Sequence, residues 1–173
     1  METNQELTAA QTELLQIWQQ HQYAEFVLKD VDGALATMVD EPYVLMVPTG
    51  VGGFGRDGVR EFYAERFIPG MPADIQPTPI SQVIGHDRIV DESIFTFTHD
   101  RDMAWLLPGV PATGRKVQIA VVGIIEFRDG LIANEHLHFD HASLLLQLGL
   151  ITDPGNLSIG GDAAAAKLLS TLE

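Results

Sequence analysis

After Thr8-Ala9-Ala10-Gln11, a capping-box sequence, the residues Leu14, Ile17, Trp18, His21 and Glu25 recur at helical spacing, which predicts a helix from about Thr8 to Leu28 with Trp18 on its core face. Asp30 suits the cap of a second short helix, Val31 to Val39, with Leu35 and Met38 on one side. Pro42 then forces extension, and Tyr43 to Val47 reads as a strand closed by Pro48-Thr49-Gly50 and a glycine-rich loop. Asp57 starts a third helix, Gly58 to Phe67, which ends before Pro69-Gly70. Beyond a proline-rich connection the pattern changes to strands: Ile80 to Gly85, Arg88 to Thr98, and a hairpin of Val117 to Phe127 with Leu131 to Asp140 around Arg128-Asp129-Gly130. Between them Thr98 to Gly114 is a long irregular connection holding Trp105, of a length that signals function or mobility. Ala142 to Leu148 closes with a helix ended by Gly149, and Asp162 caps a last, alanine-rich helix.

Helices first and strands second is the α+β signature. The expected architecture is three N-terminal helices on a conical, strongly curved antiparallel sheet, with a pocket between them. Residues 1–151 form this domain and 152–173 a linker and short helix. The 173 residues, 46% hydrophobic, suit one core. Ten basic against 24 acidic side chains give a net charge of −14, which opposes nucleic acid and anionic membranes as partners. The absence of cysteine removes disulfides, thiolate nucleophiles and iron–sulfur clusters. Met1 to Glu6 lacks a basic stretch with a following apolar run, and the longest apolar segment, Ile119 to Ile125, is far too short to span a bilayer, so a cytoplasmic protein is expected.

The sharpest candidate for chemistry is Glu135-His136-Leu137-His138-Phe139-Asp140-His141. On a strand His136, His138 and Asp140 share one face, extended backwards by Asn134 and Ile132, while Leu137 and Phe139 take the other. Such a polar row faces solvent, lines a cavity, or offers two histidines and a carboxylate to a metal. Gly50-Val51-Gly52-Gly53-Phe54-Gly55 matches G-x-G-x-x-G, but no second parallel strand with an acidic end follows, so a flexible loop near a pocket mouth is the better reading. Arg56 and Arg60 could bind an anionic group, but a solvated surface is the better reading. His21, beside Trp18 and Glu25 at helical spacing, is as well explained by a hydrogen-bonded core as by catalysis. His99 shares the face of Phe95 and Phe97 and can reach the pocket mouth. No G-x-S-x-G elbow is present.

Pro111-Ala112-Thr113-Gly114-Arg115-Lys116-Val117, Phe127-Arg128-Asp129-Gly130-Leu131-Ile132, Glu135-His136 and Asp140-His141-Ala142-Ser143-Leu144-Leu145 with Gln147-Leu148-Gly149-Leu150 resemble the C-terminal half of the SnoaL-like polyketide cyclase family, within the nuclear transport factor two-like superfamily of α+β cones. The resemblance implies acid/base catalysis without a cofactor, a lyase or isomerase reaction on a hydrophobic, carbonyl-containing small molecule; no metal is expected, because the histidine row can serve as hydrogen-bonding groups and no cysteine reinforces a site. Its strand carboxylate matches Asp140, with His138 as partner or second acid and His136 stabilising an enolate. His21, Tyr43, His99, Trp105 and Trp18 are the candidates for substrate contact. Non-catalytic relatives share the fold, so a binding or assembly protein is the alternative. Both faces of Val117 to Phe127 are apolar, which predicts a homodimer through the sheet.

Overall fold

The computed structural model describes residues 6–172; Met1 to Gln5, where a leader would begin, and Glu173 lie outside the described residues. Helix α1 (Ala9–Gln22) opens on the expected capping box, with the Gln11 N–H donating to Thr8 Oγ1 at 3.2 Å and the Thr8 N–H to Gln11 Oε1 at 3.0 Å. It does not remain α-helical to Leu28. Tyr23–Leu28 widens into a π-helical segment that stops at Lys29, whose φ is 57°. Helix α2 (Val31–Ala36) is shorter than its sequence suggests, because Met38 already belongs to a strand. Helix α3 (Gly55–Phe62) likewise runs into a π-helical segment, Tyr63–Phe67.

Six strands form one curved sheet: β1 (Met38–Met46), β2 (Val51–Phe54), β3 (Gln76–Ile84), β4 (Arg88–Thr98), β5 (Lys116–Arg128) and β6 (Leu131–Phe139), in the order β2-β1-β6-β5-β4-β3. The sheet is mixed, not purely antiparallel, since β1 pairs with β6 in parallel. The glycine run expected to be a loop is partly strand β2, paired antiparallel with Tyr43–Met46. Its glycines serve close packing: a Cβ on Gly52 would collide with the Val44 carbonyl, and one on Gly53 with the Gly58 carbonyl. Helix α4 (His141–Gln147) covers the edge of β5 beyond the end of β6. There the Gln147 amide accepts from the Gln118 N–H at 2.9 Å and donates to the Gln118 carbonyl at 3.0 Å, standing in for a missing strand.

The main core lies between the helices and one face of the sheet. It joins Trp18, Leu35, Phe62 and Phe67 to Val44, Phe97, Ile119 and Ile125. The connection between β4 and β5 is ordered over this core, burying Met103, Trp105, Leu106 and Leu107. Helix α5 (Gly161–Leu169) packs on β5 and α4, with Ala165 buried. Among the described residues no helix is long and apolar enough to cross a membrane.

Candidate active site

Between the helices and the inner sheet face lies a cavity of about 70 Å³, walled by Trp18, Phe26, Phe67, Trp105 and Leu106 on one side and by Val44, Met46, Phe95, Phe97, Ile119, Val121, Leu137 and Phe139 of the strands on the other. Its walls are aromatic and aliphatic. Three polar side chains interrupt them, Glu25, Tyr63 and Glu135, and all are buried. The first two stand on the two π-helical segments. Such insertions are uncommon, and they concentrate where a side chain must be delivered at a non-helical angle.

Behind them His21, fully buried, ties the group together. The Thr37 hydroxyl donates to the Ala34 carbonyl at 2.6 Å, so its oxygen is free to accept from His21 Nδ1 at 2.7 Å. The network therefore assigns a proton to Nδ1. The other nitrogen, Nε2, lies 3.3 Å from Glu25 Oε1, 3.2 Å from Glu135 Oε1 and 3.2 Å from the Tyr63 oxygen, while the Tyr63 hydroxyl donates to Glu135 Oε1 at 2.9 Å. A bare lone pair on Nε2 would confront those carboxyl oxygens, whereas a second ring proton satisfies them. Burial opposes charge on His21, but Glu25 and Glu135 outweigh it and raise its pKa to about 10. Burial also pushes the Glu25 carboxyl upward, against the attraction of His21. Tyr63 is raised well above its usual value by burial and by the two neighbouring carboxyl groups, and remains a hydroxyl donor. The site thus holds an imidazolium, a carboxyl raised by burial, a carboxyl accepting two donors and a phenol at the floor of an apolar chamber. His21, Glu25 and Glu135 each offer one ligand atom within 4.8 Å of the others, and among the described residues they are the group able to hold a divalent ion.

The polar row anticipated from sequence faces away from this chamber. The cavity face of β6 is Glu135, Leu137 and Phe139, and alternation turns His136 and His138 outward. Backward extension of the row holds for Asn134 and fails at Ile132, and a bulge is the reason. Between Ile132 and Asn134 two steps of β6 oppose one step of β5, Phe127 to Glu126, so the fully buried Ile132 does not share the face of His136. On the outer face His136 Nε2 meets the Tyr43 hydroxyl at 2.9 Å, and Tyr43 stacks on the exposed Phe54 with ring centroids 5.4 Å apart. His138 is exposed.

Asp140 is the N-cap of α4. Its Oδ1 accepts the Ser143 N–H at 3.0 Å and its Oδ2 the Ser143 hydroxyl at 2.6 Å, while Ser143 Oγ accepts the Gly161 N–H at 2.9 Å. Asp140→Ala is accordingly expected to cost about 1–2 kcal/mol through loss of this cap. Differential scanning calorimetry should show a Tm lower by a few degrees, with any activity per folded molecule retained.

Of the residues expected to contact substrate, Trp18 and Trp105 line the cavity. Their indole N–H groups are satisfied elsewhere, Trp18 on Asp91 Oδ2 at 2.8 Å and Trp105 on the Gly70 carbonyl at 3.2 Å. His21 sits behind the cavity wall, and Tyr43 lies on the outer face. His99 is buried beside Thr113, its Nδ1 within 3.1 Å of Thr113 Oγ1 and accepting the Thr113 N–H at 3.3 Å, which leaves the proton on Nε2. That Nε2 has no partner among the described residues, and burial holds the pKa of the ring below its usual value. Glu25, Tyr63 and Glu135 are the functional groups that sequence reasoning did not single out. One signal for Glu135 was present: a carboxylate in phase with Leu137 and Phe139, on the otherwise apolar face of its strand.

Solved structures with the same architecture are numerous. The chain superimposes on a proposed SnoaL-like polyketide cyclase from Jannaschia sp. CCS1 with a TM-score of 0.69 and 16% identity, covering 84% of this chain and 97% of that one. For TsrD from Streptomyces laurentii the TM-score is 0.62 with 22% identity over 83% of this chain and 98% of that one. For TerC, co-crystallised with polyporic acid, it is 0.58 with 17% identity over 79% and 98%. An NTF2-like protein of unknown function from Burkholderia pseudomallei K96243 also matches, at 0.60 and 20% identity over 79% and 97%. At these identities the likeness establishes the NTF2-like fold alone. Among curated proteins none matches the chain. The sequence model for the SnoaL-like domain matches residues 20–135, a span that contains His21, Glu25, Tyr63 and Glu135 and more than half of the chain, and the chain therefore belongs to the SnoaL-like domain family.

Proposed function

We propose that this chain is a cofactor-free acid/base enzyme of the isomerase or cyclase type, acting on a small hydrophobic carbonyl compound, with Glu135, Glu25, Tyr63 and His21 as its machinery. The observation that carries this reading is the joining of a proton-accepting carboxyl and several proton donors at the polar floor of an otherwise apolar cavity. In such surroundings the charged states of these groups are held by one another and not by water, so small movements of a proton are cheap while large separations of charge are not. Glu135 takes a proton from the carbon next to the substrate carbonyl. The electron pair moves onto the carbonyl oxygen, which accepts a hydrogen bond from Glu25 in its acid form; the single Tyr63 O–H, donated to Glu135 at 2.9 Å in the free site, turns to that oxygen as Glu135 takes up the proton. Returning the proton at another carbon completes an isomerisation, and attack of the enolate carbon on a second carbonyl closes a ring. His21, with its Nε2 within 3.3 Å of both carboxyl groups, holds them together throughout. Ketosteroid isomerase, a standard worked case, likewise combines a carboxylate base with a tyrosine and a protonated carboxyl as enolate donors.

The test is deuterium wash-in. 2-Tetralone, a ketone with acidic adjacent protons, is incubated with the protein in D2O containing EDTA, and exchange is followed by NMR. Exchange above the buffer rate supports the reading. Binding of 2-tetralone without any acceleration of exchange leaves the alternative, a small-molecule binding protein of the same fold.

We also infer a homodimer through the outer sheet face. Val122 and Ile124 are half-buried there, paired with His138 and His136 of β6, and the stacked Tyr43–Phe54 pair adds apolar surface across that strand, which a second copy of the face would cover. Sedimentation at micromolar concentration should return twice the 18.9 kDa mass of the chain. A monomer under those conditions overturns the inference.

A further inference from the structure

The cavity is small for its chemistry. Its volume of about 70 Å³ lies well below the roughly 300–1,000 Å³ of ligand pockets. A ligand of more than a few heavy atoms therefore enters only when a wall moves. Most walls are poorly placed to do so. The floor is tied by the His21 network, and the β4–β5 connection is held down by fully buried Met103, Leu106 and Leu107 and by the Trp105 bond to Gly70.

One stretch differs. Phe26 and Phe95 face the cavity and also line a separate open groove on the outside of the molecule, where the apolar Tyr23, Val27, Pro77 and Pro79 stand among glutamines, Asp91 and Ser93. The two rings meet edge to face, with centroids 6.1 Å apart, and Phe26 leans on Phe67 at 6.0 Å. They form the partition between groove and cavity. Both flanks of this partition are weakly braced. Phe26 belongs to the π-helical segment Tyr23–Leu28, between the exposed side chains of Tyr23 and Val27. Opposite it, the edge strand β3 has no amide proton at Pro77 or Pro79 and breaks register with β4 between Pro79 and Ser81. The neighbour of Phe26 in sequence is Glu25, so the segment that would swing the ring also carries the acid of the site.

We propose that Phe26 is the gate of the active site, swinging off Phe95 to admit apolar ligands from the groove between the π-helical segment and β3. This rests on the reading of the cavity as a ligand site. It predicts that bulk at position 26 governs how fast ligands enter and leave more than how tightly they are held.

The chain offers its own reporter, because its two tryptophans, Trp18 and Trp105, both line the cavity. Acetophenone, an aryl ketone that quenches indole fluorescence, is mixed with the protein in a stopped-flow instrument. Phe26→Leu should raise both association and dissociation rates by about tenfold, and Phe26→Trp should lower both, with the fluorescence of the new indole calibrated in the free variant. The equilibrium constant should stay within about threefold in each case. Phe26→Leu is preferred to Phe26→Ala because the side chain also packs on Phe67, and Leu106→Ala serves as the control for entry past the β4–β5 connection. Unchanged rates in both Phe26 variants, or acceleration confined to Leu106→Ala, overturn the gate while leaving the cavity a ligand site. Absence of saturable quenching in every variant removes the ligand site itself, and the gate with it.

Discussion

Glu135→Gln is expected to lower the rate of proton exchange at the carbon next to a bound carbonyl by about 10²–10⁴-fold, while the variant still binds the ketone and remains folded. The substitution keeps the size and planarity of the side chain, and the amide oxygen can still accept the Tyr63 hydroxyl that now bonds Glu135 at 2.9 Å. Only the capacity to take a proton is removed. Glu25→Gln is the informative partner. If Glu25 acts as a hydrogen-bond donor to the enolate oxygen, its amide replacement still donates, and the loss should be no more than about tenfold. The opposite ranking would interchange their roles. Equal, small losses in both, in proportion to the folded fraction measured by circular dichroism, would make the network structural and return the cavity to simple binding.

Much of the fold is legible in the sequence because it rests on local signals. Thr8 and Gln11 announce the start of α1, and the alternation of Arg88 to Thr98 predicts β4 with the ends it has in the structure. What escapes is non-local or subtle. Strand β2 is disguised by glycines that are required by the approach of Val44 and Gly58, neither of them a sequence neighbour. The π-helical segments have no residue signature, yet they set the angles of Glu25 and Tyr63. The orientation of β6 is the instructive case. Period-two alternation separates His136 and His138 from Leu137 and Phe139, but it cannot say which set faces the helices, nor that the strand ends before Asp140. Three polar groups looked like a site and two apolar ones like filler. In a cavity for an apolar ligand the logic is reversed: the walls are apolar, and the site is the single polar position among them. Read that way, Glu135 stands out beside Leu137 and Phe139, and the His21–Glu25 pair, four residues apart on one helix, becomes its counterpart.

His21→Gln should be the most destabilising polar substitution in the chain, lowering stability by about 3–5 kcal/mol and the Tm by on the order of 10 °C. The cause is not lost packing. His21 is the cation of a buried cluster whose other members are two carboxyl groups and a phenol, and removing it leaves them without compensation in a cavity they cannot leave. The pH dependence separates this from the loss of a neutral core histidine. The folded-state pKa of about 10 lies above the ordinary value of 6.5, so the stabilisation from His21 is complete below the unfolded value and fades as pH rises through the folded one. Glu25, whose pKa is also raised, contributes with the same sign, favouring the folded state at lower pH and less as pH climbs. Wild-type stability should therefore decline between pH 7 and pH 10. His21→Gln has no such charge to lose, and the difference in Tm between the two proteins should shrink over that interval. Calorimetry at pH 7.0, 8.5 and 10 measures it. A gap that stayed constant would mean that His21 is neutral in the folded protein, with the proton between its Nε2 and the carboxyl oxygens carried by Glu25 instead.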